Sequence, residues 1–273
     1  MYWPLLGILC AVCAVLCSVG FKKFVYFLSI GYGFAIAGGS ICVLIMCLVN
    51  NATAGVLWLA ILQTLLFIAY GARLSGFLLV RELKNAAYRK TLKEATGNDK
   101  KMPIFVLITI WIMVAVLYTA QLSPMLFRYM NGAKDWIVPV IGIAISVFGI
   151  VLESIADKQK SEQKKKRPDM VATKGLYRIV RCPNYLGEII FWIGVFVSGT
   201  TGFNNAGQWI MAVIALICII YIMFNGAQRL EKRQMGRYGD NKEYNDYADK
   251  TPIIIPLVPI YHLNKKAEKE KKE

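Results

Sequence analysis

Long apolar runs alternate with short polar stretches along most of this chain. Each run is about twenty residues long, the length that an α-helix needs to cross the hydrocarbon core of a bilayer. The predicted spans cover residues 2–20, 25–49, 53–80, 103–122, 135–155, 185–200 and 207–226. The first run lacks the basic start and the cleavage site of a signal peptide, so we interpret it as a retained helix. The pattern therefore predicts an all-α, polytopic integral membrane protein with about seven transmembrane helices.

The basic residues lie almost entirely on one side of the predicted membrane. If the N-terminus is outside, nearly all of the 32 Lys and Arg residues fall in cytoplasmic loops. Only Arg128 and Lys134 remain in outer loops, and Arg73 lies within a span. The positive-inside rule then predicts an external N-terminus and a cytoplasmic C-terminus. This basic face, which meets anionic lipid or an anionic cofactor, explains the net charge of +15 without a nucleic-acid partner.

Composition agrees with a membrane protein and narrows the chemistry. Of the 273 residues, 56% are hydrophobic, which exceeds the roughly 45–50% of soluble domains. The seven cysteines are scattered, and the one histidine, His262, lies near the C-terminus. This pattern indicates packing residues rather than a metal site or a disulfide framework. We predict no metal, and the oligomeric state stays open.

Polar residues inside the second and third spans are candidates for a substrate pocket, because such groups are costly in lipid and often functional. Tyr70 and Arg73 lie one turn apart on one face of the third span, and Gln63 lies two turns earlier. Arg73 either snorkels to the headgroups or faces a polar cavity beside Tyr70. Tyr32 lies in the second span, where glycines permit close helix approach, and is either a pocket residue or a packing residue.

A polar, arginine-bearing stretch runs directly into the sixth span. Arg178, Arg181 and Asn184 recur there at helical spacing, and Tyr185 and Glu188 follow where the chain enters lipid. The first turn of a helix presents free N–H groups and a positive dipole end, so this junction predicts a cytoplasmic anion site. An acid as deep as Glu188, close to Arg181, indicates an internal network.

Segments on either side supply candidate walls for that site. Before it, Glu153 and Asp157 share one helix face, and Lys164 belongs to a basic run. Lys165 and Lys166 in the same run are more typical of a solvated face or a contact with lipid headgroups. The segment after the seventh span contributes four more candidates: Arg229, Arg233, Tyr244 and Tyr247.

The last segments are read by composition. Residues 251–259 are apolar and rich in proline but too short to span, so we expect them to pack back against the bundle or the membrane face. The charged residues 263–273 are typical of a disordered tail.

The polar residues suit a lipophilic substrate that enters from the bilayer and a phosphate-bearing cofactor that enters from the cytoplasm. Arginine binds phosphate in a bidentate fork, and an embedded tyrosine or carboxylic acid can polarise a substrate carbonyl. The predicted spans contain no His/Cys metal set, no Ser-His-Asp set and no Walker loop. Composition alone leaves hydride transfer, group transfer and non-catalytic binding open.

A family resemblance rests on three motifs: GIVLESIADKQK, GLYRIVRCPNYLGEIIFWIGVFVSG and EKRQMGRYGDNKEYNDYADKTPIIIPLVP. In order and spacing they resemble signatures of the steroid 5α-reductase C-terminal superfamily, in particular its bacterial branch known as DUF1295. The motifs cover about residues 147–259.

The resemblance implies a seven-helix membrane fold that holds NADPH among its C-terminal helices and reduces an activated C=C bond in a steroid or similar lipid enone. It implies that Tyr70 helps to bind the substrate ketone, and we predict Tyr70 and Glu188 as catalytic. The predicted cofactor residues are Asp157, Lys164, Arg178, Arg181, Asn184, Tyr185, Arg229, Arg233, Tyr244 and Tyr247. The predicted substrate pocket contains Tyr32, Gln63, Arg73 and Glu153. By role, we divide the chain into substrate-side helices 1–130, a catalytic region 131–262 and the tail 263–273.

Two departures from the family pattern leave alternatives open. Cys182 replaces the usual histidine, and the second span lacks the Gln-Glu pair of the steroid enzymes. One alternative is a membrane methyltransferase that uses S-adenosylmethionine, because isoprenylcysteine carboxyl methyltransferases share the Arg-His-Pro-x-Tyr core. Asn184 with Gly187 and Glu188 favours the reductase. The other alternative is a non-catalytic lipid-binding protein. Each hypothesis predicts a multi-pass protein, in the cytoplasmic membrane of a bacterium or the endoplasmic reticulum of a eukaryote.

Overall fold

A computed structural model describes residues 2–84 and 102–264 of the chain. Its α-helices are α1 (Trp3–Cys17), α2 (Ile30–Val49), α3 (Leu57–Lys84), α4 (Ile104–Met130), α5 (Ile137–Lys166), α6 (Pro183–Gly199), α7 (Ala206–Tyr238) and α8 (Lys242–Lys250). Short 3-10 segments cover Ser18–Phe21, Phe24–Leu28, Gly175–Arg178 and Thr200–Gly202. Within these described ranges there is no β-strand.

Seven of these helices are long and apolar enough to cross a membrane, which confirms the all-α, polytopic class. They are α1 to α7, and α8 is a short polar helix near the C-terminus. Many large apolar side chains on the seven helices are exposed, including Val15, Phe105 and Ile217. Lipid covers such side chains in a membrane protein. The membrane orientation of the two termini stays a prediction.

The fourth span differs from the prediction at its outer end. The apolar pattern predicts a stop at residue 122, with Arg128 in an outer loop, but α4 continues to Met130 and Arg128 is fully buried. The Arg128 guanidinium pairs with the Asp135 carboxylate at 2.9 Å and donates to the Thr201 hydroxyl at 2.7 Å. Because these partners compensate the charge, the helix can continue with an arginine inside it.

The second span also begins later than predicted. A 3-10 segment, Phe24–Leu28, precedes it, and α2 begins at Ile30 rather than near residue 25. At the sixth span, α6 begins at Pro183, as expected for a proline in the first helical turn.

The chain forms two compact units, each built from separate stretches. Unit 1 contains Met1–Ile143 and Val195–Leu216, and unit 2 contains Ala144–Gly194 and Ile217–Glu273. Helices α5, α6 and α7 each contribute residues to both units. The division by role at residue 130 concerns function rather than compactness and stays a prediction. Most of the predicted tail lies outside the described residues.

Each unit contains a helix crossing made through paired glycines. In unit 1, a Cβ added to Gly33 of α2 would lie 2.6 Å from the carbonyl oxygen of Gly71 of α3. In unit 2, a Cβ added to Gly149 of α5 would lie 2.6 Å from the carbonyl oxygen of Gly187 of α6. Only glycine allows backbones to approach this closely, which confirms close packing by the second span.

Candidate functional site

A buried ion pair between Arg181 and Glu231 lies at the centre of a polar network in unit 2. The Arg181 Nη2 and Glu231 Oε1 atoms are 2.6 Å apart, and the two side chains are 3% and 1% exposed. Glu231 Oε2 also accepts from the backbone N–H groups of Leu263 and Asn264 at 2.9 and 3.0 Å. These additional hydrogen bonds offset the cost of removing two charges from water.

The histidine extends this network toward α8. The Nδ1 atom of His262 lies 2.9 Å from Glu231 Oε1, and its Nε2 atom lies 2.8 Å from Asp249 Oδ1. Sequence reasoning placed His262 near the C-terminus and assigned no role to His262 or Glu231. The Glu231 side chain was missed because its partner lies 50 residues away in sequence. The apolar segment 251–259 was the sequence feature that indicated a return of the chain to this part of the molecule.

That apolar segment packs onto unit 2, as predicted. The backbone N–H groups of Arg181 and Cys182 donate to the carbonyl oxygens of Pro252 and Ile253, both at 2.8 Å. Ile253 also joins a buried cluster with Cys182 and Ala227. Arg181 donates from its side chain to the carbonyl oxygen of Tyr261, so the segment is held at several points.

Backbone N–H groups at the start of α6 donate hydrogen bonds within the chain. Pro183 has no N–H, and the N–H groups of Tyr185 and Leu186 both donate to the carbonyl oxygen of Cys182 at 3.1 Å. The predicted anion site there must therefore depend more on side chains than on free backbone N–H groups. Of those side chains, Asn184 is half-buried and Arg178 is exposed.

Tyrosines join the segments that precede and follow the junction. The Tyr247 hydroxyl donates to the carbonyl oxygen of Tyr177 at 2.7 Å, and the Tyr177 hydroxyl donates to that of Ala156 at 3.3 Å. The ring of Tyr185 lies directly against Gly226 of α7. Burial raises the pKa of both Tyr177 and Tyr247, so their hydroxyls stay protonated and act as donors.

Two buried polar atoms at this site, the Tyr244 hydroxyl and Arg181 Nε, form no hydrogen bond of standard geometry in the described part of the chain, although the Arg181 side chain lies beside the Tyr244 hydroxyl. Burial raises the pKa of Tyr244, and the nearby Arg181 charge opposes that rise. Buried polar groups normally have a partner, so these atoms are candidates for contact with a ligand.

The remaining predicted cofactor residues differ in how accessible their charged groups are to a ligand. The Lys164 ammonium donates to the Tyr238 hydroxyl and to the carbonyl oxygens of Pro168 and Met170, at 2.7 to 3.0 Å. A phosphate would have to displace one of these bonds. Asp157 is half-buried, whereas Arg229 and Arg233 are exposed and accessible to an anion.

Two of the predicted acidic residues, Glu188 and Glu153, are buried in unit 2. Glu188 is 4% exposed and accepts a hydrogen bond from Trp192 Nε1 at 3.1 Å. Glu153 is buried where α5 meets Gly187. Among the described residues, no group of three or more His, Cys, Asp or Glu residues could hold a metal ion.

Cys182, which replaces the family histidine, is a buried thiol. It is 2% exposed, and burial raises its pKa to about 11. The side chain is therefore a neutral thiol at physiological pH, and it packs with Ile253 rather than serving as a charged group.

The predicted substrate residues lie in unit 1, apart from Glu153. The Tyr32 ring packs edge-on against Tyr70, with 5.9 Å between centroids, and stacks on Tyr118 at 4.9 Å. Sequence reasoning missed Tyr118, because a lone tyrosine in an apolar run has no distinctive pattern. Arg73 is half-buried on α3. The two predicted catalytic residues belong to different units, Tyr70 to unit 1 and Glu188 to unit 2.

Gln63 uses both polar atoms of its amide within unit 1. Its Nε2 donates to the Ser198 hydroxyl at 2.8 Å, and its Oε1 accepts from the Tyr129 hydroxyl at 3.3 Å. The residue is 1% exposed. These bonds tie α3 to α4 and to the end of α6.

Comparison with known proteins identifies the family. A family model described as a protein of unknown function, DUF1295, matches residues 33–251. An uncharacterized protein of Schizosaccharomyces pombe (strain 972 / ATCC 24843), C594.04c, is 26% identical over 181 residues, which are 58% of this chain and 49% of that protein. This chain thus aligns with about half the length of that relative. No solved structure matches. Because the family model covers most of the chain, the protein belongs to the DUF1295 family, which is related to steroid 5α-reductase-like proteins.

Proposed function

We propose that this protein is a membrane-embedded, NADPH-dependent reductase of an activated C=C bond in a steroid-like or other lipophilic enone. The contact of three motif segments within unit 2 carries this proposal. Tyr247, Tyr177 and Ala156 link those segments through two hydrogen bonds. Sites that hold a cofactor commonly combine residues that are distant in sequence.

The side chains around this contact are suited to a phosphate-bearing cofactor. Arg178, Arg229 and Arg233 are exposed cations that would bind its phosphates. The buried Tyr244 hydroxyl and Arg181 Nε, which form no hydrogen bond of standard geometry in the described chain, would bind its polar groups. The buried Cys182 adds no charge that would compete with the arginines.

NADPH supplies a hydride when it is bound. The residues of the chain would bind and orient the two reactants. In unit 1, the Tyr70 hydroxyl is proposed to donate a hydrogen bond to the substrate carbonyl and so polarise the adjacent C=C bond. In unit 2, Glu188 is proposed to orient the cofactor. Both side chains are buried, which excludes water from their surroundings.

Cofactor binding by the full chain in detergent tests this proposal. We expect NADPH to bind and to raise the melting temperature, since a ligand that binds only the folded state stabilises it. Asn184→Ala and Arg233→Ala are each expected to weaken the binding of NADPH. For Arg233→Ala we expect about a tenfold loss of affinity, because a charged hydrogen bond is removed. Lys165→Ala is the matched control, because Lys165 is exposed and lies outside the predicted site.

The same measurement separates the alternatives. Stabilisation by S-adenosylmethionine but not by NADPH would replace the reductase with a methyltransferase. Binding of neither would favour a non-catalytic lipid-binding protein. Oxidation of NADPH that depends on an added lipid enone would confirm reduction, and Tyr70→Phe should then slow turnover while NADPH affinity stays unchanged.

A further inference from the structure

Gln121 is a buried amide in unit 1, and neither of its polar atoms has a hydrogen-bond partner among the described residues. The residue lies on α4 and is 2% exposed. A buried amide without a partner costs free energy, so native proteins usually pair such a group with protein, water or ligand. Gln121 therefore has the capacity to bind a ligand oxygen in the interior of unit 1.

Helix geometry places Gln121 at the depth of Tyr70. The Tyr129 hydroxyl of α4 donates to Gln63 Oε1 of α3, and this contact sets the register of the two helices. Tyr70 lies seven residues beyond Gln63, which is about 10.5 Å along α3, and Gln121 lies eight residues before Tyr129, which is about 12 Å along α4. If α3 and α4 are antiparallel, Tyr70 and Gln121 lie on the same side of the Gln63–Tyr129 contact and at nearly the same distance from it.

Aromatic contacts establish that antiparallel arrangement. The Tyr32 ring of α2 contacts both Tyr70 of α3 and Tyr118 of α4. Tyr70 follows Gln63 along α3, whereas Tyr118 precedes Tyr129 along α4, so the two helices run in opposite directions past the same ring. Tyr118 lies on the same side of α4 as Gln121, one turn before it. The three tyrosines are each at most 6% exposed. Gln121 thus lies on the buried side of α4 that carries this aromatic cluster.

We propose that Gln121 and Tyr70 bind the oxygen of a neutral lipid, either a ketone or an alcohol, inside unit 1. The Gln121 amide and the Tyr70 hydroxyl are uncharged, and each can both donate and accept a hydrogen bond. The surrounding aromatic rings favour an apolar ligand body. The inference rests on the proposed function only for the role of this lipid as the substrate.

The test measures lipid binding to the full chain in detergent. The probes are tritiated progesterone, which carries ketones, tritiated cholesterol, which carries a hydroxyl, and the oxygen-free hydrocarbon cholestane as competitor. In Gln121→Met, which keeps the length of the side chain and removes the amide, we expect the Kd for an oxygenated probe to rise about three- to tenfold. Cholestane should compete weakly and equally in both proteins.

Thr119→Val is the matched control. Thr119 is buried on the same helix, but its hydroxyl bonds to the carbonyl oxygen of Ala115 within that helix at 2.8 Å. We expect this variant to bind both probes as the wild type does. The melting temperature of Gln121→Met should be equal to or higher than that of the wild type, because the substitution removes an unpaired buried amide. A lower melting temperature together with lost binding would assign Gln121 a structural role and overturn the proposal.

Two further results would also overturn it. One is equal affinity of the wild type and Gln121→Met for both oxygenated probes. The other is a wild type that binds neither probe more tightly than cholestane. NADPH binding, measured on the same samples, distinguishes this inference from the proposed function. A wild type that binds the oxygenated lipid but not NADPH would contradict the reductase and leave the lipid site supported.

Discussion

The interiors of the two units differ in charge. The centre of unit 1 contains uncharged polar groups, namely Gln63, Tyr70 and Gln121, among aromatic rings. Its fully buried cation, Arg128, is compensated by Asp135 and Thr201. The interior of unit 2 instead contains an ionised pair at 2.6 Å, extended by a histidine. Neutral groups suit a lipid, and buried charges surrounded by exposed arginines suit an anionic, water-soluble ligand. This difference supports the proposal that unit 1 binds a lipid and unit 2 binds an anionic cofactor.

The largest expected effect comes from breaking the ion pair of unit 2. Glu231→Gln leaves Arg181 buried without a countercharge, and we expect a loss of about 3–5 kcal/mol in the free energy of unfolding. Denaturant titration of the purified protein, followed by tryptophan fluorescence, measures it. Glu243→Gln is the control, since its pair with Arg167 is exposed on both sides and should contribute little. Equal losses in the two variants would contradict the importance of the buried pair.

A smaller effect is expected for the corresponding cation of unit 1. Arg128→Met removes the charge but keeps much of the side-chain volume. It leaves the Asp135 carboxylate without its partner, although that side chain is 39% exposed and can be hydrated. We therefore expect a loss of about 1–3 kcal/mol by the same titration. A loss in the free energy of unfolding larger than that of Glu231→Gln would contradict the expectation that the buried ion pair of unit 2 contributes more to stability.

Two tyrosines of unit 2 should respond differently to loss of the hydroxyl. Tyr247→Phe removes a 2.7 Å hydrogen bond to the carbonyl oxygen of Tyr177, and we expect it to cost about 0.5–1.5 kcal/mol. Tyr244→Phe removes a hydroxyl that lies beside the Arg181 side chain but forms no hydrogen bond of standard geometry in the described chain, so the free energy of unfolding should fall by less than in Tyr247→Phe. If the reductase proposal is right, Tyr244→Phe should nevertheless bind NADPH more weakly. A Tyr244→Phe variant that is destabilised as much as Tyr247→Phe would show that its hydroxyl has a structural partner.

The smallest effect concerns the reactivity of Cys182. Because burial raises its pKa to about 11, the thiol stays protonated well above the ordinary value of 9.0 and should resist alkylation by iodoacetamide in the folded protein. Unfolding in denaturant should make it reactive, as mass spectrometry of the labelled peptide would detect. The raised pKa contributes stability that is present below pH 9.0 and is lost as the pH rises toward 11. Rapid labelling of the folded chain would contradict the burial of this thiol.

Sequence patterns alone predicted the all-α, seven-span class of this protein. Apolar runs of membrane length predict the seven spans, and Pro183 marks the start of α6, because hydropathy and proline geometry act through local sequence. The three motifs also indicate the family, because signature residues at fixed spacing are a property of the sequence itself. Glycines of the second span predicted close packing, which Gly33 and Gly71 provide.

Which polar groups meet depends on the tertiary structure. The pairing of Arg181 with Glu231, the return of His262 to that pair and the burial of Arg128 all join residues that no local pattern connects. Gln121 has no sequence signature either, because its importance lies in the absence of a partner in the described chain. Such pairings depend on how helices cross and which side chains are buried, and one-dimensional periodicity specifies a helix face but not its neighbour.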